Sequence, residues 1–161
     1  HKQPTGFYVW SAPVQNNNLY GQCPFAKDRT MTLIALLTAS LLFGGMTLFS
    51  FGFAAFLFTS LPAETASPLI RKAFPHLYLF VIITSAIAGL CLIMHDLMAA
   101  LLLLGITLTT IFARQILMPM INAATDSGQR KQFKVLHTGS VVLTLSHIAI
   151  AAYVIVRIAN L

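Results

Sequence analysis

Five histidines and four acidic residues are scattered through this chain, and among them His76, His137 and His147 could do chemistry as metal or heme ligands. His76 opens an apolar run in FPHLYLF, and His137 opens another in FKVLHTGSVV. On antiparallel helices the two rings fall at one membrane level, and a four-helix bundle can hold a heme between facing helices. His147 follows His137 by ten residues, about 15 Å along a helix, so those two cannot share one ion. No second ligand motif accompanies them. Read as structure, His137, Ser140, Thr144 and His147 form a polar stripe that must face the bundle interior, because lipid offers no hydrogen-bond partner.

Arg114 is the other candidate, in TLTTIFARQILMP, with Thr107 and Thr110 seven and four residues before it. A charge at the bilayer centre costs about 2.5–3.5 kcal/mol on insertion scales, which makes such a residue a functional candidate. Arg114 sits near the end of its run, however, and an arginine there can extend to the headgroups or pair with Glu64. A polar membrane cluster of Arg114, Asn122, His137 and Glu64 is the expectation. No catalytic residue is expected: HExxH, phosphate-binding glycine loops and nucleophile elbows are absent from the sequence. Asp28, Glu64, Asp96 and Asp126 are too far apart to supply a carboxylate pair. No cofactor is expected beyond the heme or copper alternative.

The elements that carry these residues are membrane helices. Hydrophobic residues make up 57% of the 161-residue chain and charged residues 9%, against about 25% charged in a soluble domain; mean hydropathy is +0.80. The expected fold is all-α, an integral membrane four-helix bundle over residues 31–161, with spans at about 32–59, 76–94, 97–118 and 135–158. The net charge of +6 comes from basic residues lying between apolar runs, where topology places them. The expected environment is therefore the bilayer and other membrane subunits, with no nucleic acid. Small residues give the packing expectations: Thr38, Gly45, Gly52 and Thr59 recur every seven residues, and Ser85 with Gly89 forms a small-xxx-small pair.

Residues 1–30 differ, with three prolines, an Asn triplet and aromatics at Phe7, Tyr8, Trp10, Tyr20 and Phe25. An irregular arm on the membrane interface, or one gripping a neighbouring subunit, is expected. Cys23 is free or pairs with another chain, and Cys91 packs inside a helix. A first residue other than Met suggests a processed start or part of a longer chain. The loops after spans one and three hold Arg71, Lys72, Arg130, Lys131 and Lys134, whereas Lys27, Arg29 and Arg157 flank the other end. The excess favours cytoplasmic loops with both termini on the periplasmic side of a bacterial inner membrane.

The GGMTLFSFGFAAFLFTSLP, FPHLY, ARQILMPMINAA and LHTGSVVLTLSH stretches resemble the transmembrane protein 205-like family, a four-helix membrane domain of unknown function. That family is in turn distantly similar to copper-resistance D membrane proteins. The resemblance rests on Gly44, Gly45, Phe49, Leu61, Pro62, Phe74, Pro75, Arg114, Pro119, Asn122 and His137, and implies no transferable active site. The functional expectation is a non-catalytic accessory or assembly subunit of a larger membrane complex. The alternatives are heme or copper binding by His76 and His137, and a small oligomeric transporter subunit.

Overall fold

The computed structural model describes residues 24–160, and every regular element among them is helical. Helix α1 runs from Pro24–Thr47 through a π-helical segment, Leu48–Phe53, into Ala54–Ser60. Helix α2 is Ala63–Leu92. Helix α3 runs from Leu97–Phe112 through a second π-helical segment, Ala113–Leu117, into Met118–Asp126. Helix α4 is Arg130–Ala159. All four are long and apolar enough to cross a membrane. The 30 residues of α2 or α4 extend about 45 Å at 1.5 Å per residue, against about 30 Å of hydrocarbon. Each helix therefore projects beyond the apolar layer.

The helices exceed the expected spans because prolines were read as breaks. Pro62 stands before α2, but Pro68 and Pro75 lie inside it. The buried stripe of α2 passes both without a shift: Ala66, Ile70, Leu77, Val81, Ser85, Ala88 and Leu92 keep a 3.6-residue period. A helix packed on one face accommodates prolines on the other. In α3, Pro119 follows the π-helical segment, where the Met118 N–H reaches back five residues to Ala113 O. The longer bond lets the helix continue past a residue with no N–H. The expected loop after residue 118 shrinks to residues 127–129. There Gly128 adopts φ +68°, its N–H bonds Thr125 O at 3.1 Å, and the Gln129 N–H bonds Ala124 O at 2.9 Å. This is a Schellman ending.

Of the arm, Phe7, Tyr8, Trp10, Tyr20 and Cys23 lie outside the described residues. Phe25 falls within the first turn of α1, so the helix begins before the expected boundary at residue 30.

Each helix packs against its two chain neighbours, with α4 closing back on α1. The result is an antiparallel ring. Its core holds Leu42 and Met46 from α1, Val81 and Leu92 from α2, Leu103 and Ile106 from α3, and Val154 and Ile158 from α4. Of the expected packing residues, Ser85 is fully buried, and a Cβ on Gly89 would lie 3.0 Å from Leu104 Cγ. Gly45 sits under Phe80, whose Cε1 would be 2.6 Å from an added Cβ. The other members of the heptad stripe on α1 make no such contact with a neighbouring helix. Thr38 only bonds its own backbone, at Ile34 O, Gly52 meets only Leu48 of its own helix, and Thr59 is exposed. The residues α1 buries are Ala35, Ala39, Leu42, Met46 and Leu57. Residues 48–53 are underwound into a π-helical turn, which rotates everything after them relative to a seven-residue count.

Candidate functional site: the polar interior of the bundle

Polar side-chain contacts cross between the described helices at four heights. In the middle of the bundle Ser85 Oγ of α2 lies 2.8 Å from Thr107 Oγ1 of α3. Both hydroxyls also reach the backbone one turn back, at Val81 O and Leu103 O. Between α3 and α4, His147 Nε2 lies 2.8 Å from Thr109 Oγ1. The Thr109 hydroxyl gives its hydrogen to Gly105 O at 2.7 Å, so it accepts from His147. That arrangement uses the Nε2–H tautomer, in which Nδ1 keeps a lone pair.

The third contact closes the end of the bundle that carries the start of α1. Asp96 precedes α3 and caps it, accepting from Ala99 N at 3.1 Å. Its second oxygen accepts from Arg157 Nε in the last turn of α4. The Asp96 side chain is 4% exposed and Arg157 41%. The hydrogen bond from Arg157 holds the Asp96 carboxyl below the ordinary carboxylate range. Burial opposes this, and the Ala99 amide reinforces it. At the opposite end Arg71 Nη1 of α2 reaches Asp126 Oδ1 of α3 at 2.8 Å, and Nη2 reaches Asn122 O at 3.4 Å.

A cavity of about 10 Å³ lies at the centre, lined by all four helices, with Tyr78, Thr110, Ser140, Thr144 and His147 as its polar residues. Thr110 is 2% exposed, and its Oγ1 has no hydrogen-bond partner. A buried hydroxyl left unpaired costs about 1–3 kcal/mol.

The expected cluster is not assembled. Arg114 lies half-buried in the π-helical segment of α3. Among the described residues, no hydrogen bond or ion pair joins it to Glu64, Asn122 or His137. Glu64 is exposed in the first turn of α2, and the acid that meets an arginine at this level is Asp126. His137 turns outward rather than inward, stacked on Phe133 at 5.3 Å. It lies only two turns into α4, near the headgroup level, where a ring can reach water. His76 is also exposed, with Nδ1 3.1 Å from Lys72 O of its own helix. Ser140, Thr144 and His147 do face inward, so the stripe holds from Ser140 onward. Sequence reasoning placed Asp96 in a turn and Arg157 at a terminus without joining them. An even number of spans puts that turn and the end of α4 at one level, a signal that was available.

These features define a polytopic integral membrane protein of four antiparallel helices with a polar interior seam. Residues 37–130 match the model of a domain of unknown function, DUF4149, which is more than half of the chain, and the chain belongs to that family. The matched segment ends where α4 begins, so it holds Asp96 and Thr110 but not His147 or Arg157. An uncharacterised membrane domain is what the match supports; it names neither the transmembrane protein 205-like nor the copper-resistance D family. No curated protein and no solved structure matches the chain.

Proposed function

We propose that this protein is a non-catalytic subunit that works through lateral helix contacts, as an accessory or assembly component of a larger membrane complex. The supporting observation is the outward face formed by α1 and α4. The apolar windows of these helices are 17% and 22% buried, against 33% for α2 and α3. Outward on α4 stand Thr138, Gly139 and Ser146, and outward on α1 stands Gly44. A Cβ built on Gly139 or Gly44 meets nothing within 4 Å. Lipid gains nothing from a missing side chain or a hydroxyl, whereas a neighbouring helix gains close approach and a hydrogen-bond partner. The four-helix resemblance without a transferable active site agrees with this reading.

The same reading orients the chain. Arg71, Lys72, Arg130, Lys131 and Lys134 lie at the end holding the α1–α2 and α3–α4 connections, and this favours that end as cytoplasmic.

Native mass spectrometry from mild detergent tests the proposal. A defined assembly is expected, lost in Gly139→Leu and Ser146→Leu variants that keep wild-type helicity and melting temperature. A wild-type protein that flies only as a monomer would refute it. A heme or copper mass on the wild-type chain would instead favour the ligand reading of His76 and His137.

A further inference from the structure

The central cavity contains a mismatch between supply and demand for hydrogen bonds. Thr84, Thr107, Thr109 and Thr144 each donate to the carbonyl one turn back, the usual resolution for a threonine in a membrane helix. Thr110 does not, although it is almost fully buried, and its hydroxyl lines the cavity with no partner. Around it, Ser140 and Thr144 have committed their hydrogens to His137 O at 2.7 Å and Ser140 O at 3.0 Å. Their oxygens remain able to accept. With Nε2–H donated to Thr109, the Nδ1 of His147 remains an acceptor. The walls therefore offer a donor at Thr110 and acceptors on α4, so the matching occupant must both accept and donate.

Size and charge narrow the choice. A cavity of about 10 Å³ suits one water-sized molecule. No carboxylate lines it, which disfavours a hard cation. Residues from α2, α3 and α4 converge here beside Ala113, where the π-helical segment begins. At that point one N–H, that of Ala113, is shared between Thr109 O and Thr110 O, so backbone acceptors are also under-supplied.

We propose that this cavity is a water-binding site. A single water accepts from the Thr110 hydroxyl and donates toward the α4 acceptors, so that it stitches α3 to α4 in the middle of the membrane. Tyr78 of α2 lines the same space and is the contact to the third helix. The water replaces the hydrogen bond that Thr110 does not make within its own helix.

The test is a structure of the full chain from lipidic mesophase, at a resolution that shows ordered water, together with Thr110→Val. The expected result is one peak about 2.7–3.2 Å from Thr110 Oγ1, absent in Thr110→Val, which also melts below wild type. Valine keeps the shape and removes only the hydroxyl. No peak in the wild type would overturn the proposal. So would a Thr110→Val melting temperature at or above wild type, the result for an unpaired hydroxyl in a dry void. A peak with five or six oxygen neighbours near 2.4 Å would mark a cation, and would also overturn it. Should Thr110→Val fail to fold, Thr110→Ser must retain the peak, and loss of the peak there counts against the site.

Discussion

The Asp96 carboxylate serves two helices at once, with one oxygen capping α3 through Ala99 N and the other receiving Arg157 Nε from the last turn of α4. The pair closes the ring at one end of the bundle, where the α2–α3 turn meets the last turn of α4. Arg157 holds the Asp96 carboxyl below its ordinary range, so the folded state prefers the ionised form more than the unfolded state does. For a lowered carboxyl the stabilisation is complete above the unfolded value, about 3.9, and fades as pH falls through the lower folded one. The melting temperature in non-ionic detergent should therefore hold from neutral pH to about pH 5 and fall below about pH 4. Asp96→Asn should start lower and lose less on acidification. Parallel acid slopes for the two proteins would contradict this, since the other three carboxylates are common to both.

Ser85 and Thr107 make a hydroxyl–hydroxyl contact between α2 and α3 in the centre of the bundle. Interhelical hydrogen bonds in membranes average about 0.6 kcal/mol in double-mutant cycles, since each hydroxyl can fall back on its own backbone, as both do here. A cycle of Ser85→Ala and Thr107→Val, read by reversible unfolding in mixed micelles, should give a coupling of about 0.6 kcal/mol. A coupling indistinguishable from zero would mean the 2.8 Å contact carries no energy.

Four helices could be read from hydropathy because lipid imposes one rule on every span, an apolar exterior with internally paired backbone. Their ends could not. Pro68 and Pro75 carry the strongest breaker signal in soluble proteins, yet the period of Ala66, Ile70, Leu77 and Val81 already runs through them. A stripe count that started at Ala66 would have recovered the first three turns of α2. The π-helical segments left no comparable mark, which is why Gly52 and Thr59 leave the seven-residue pattern on α1. Within the site, Thr110 and His147 stand out by type, because polar atoms in apolar runs are conspicuous, whereas Ser85 reads only as a small packing residue beside Gly89. Which of them meet depends on helix rotation and level. His137 and His147 differ by less than three turns, and one faces out while the other is buried.

Gly128 occupies the left-handed region at φ +68° in the three-residue turn between α3 and α4. Open space surrounds its Cα, so the only objection to a side chain there is conformational. Gly128→Ala should destabilise by about 1–2 kcal/mol, and Gly128→Asn by less, because asparagine tolerates this region. Thermal melts of the two variants check the order. Equal losses would show that the turn, and not the backbone angle, is what the glycine protects.

Gly45 and Gly52 lie on the same seven-residue stripe, and the structure separates them. A Cβ on Gly45 would approach the Phe80 ring to 2.6 Å, across the α1–α2 contact, whereas Gly52 meets only the Leu48 side chain of its own helix at 3.1 Å. Phe80 is half-buried and its ring can shift for a methyl, so Gly45→Ala should be mild. Gly45→Leu adds volume that no ring shift absorbs and should lose about 1–3 kcal/mol, the usual range for overpacking. Gly52→Leu forces nothing across an interface and gains helix propensity, up to about 1 kcal/mol by host–guest scales. Its stability should be equal to or above that of wild type. Unfolding of the two leucine variants in mixed micelles decides the matter. Equal losses at both positions would restore the simple heptad interface, and would mean that the π-helical turn does not carry Gly52 off the α1–α2 contact.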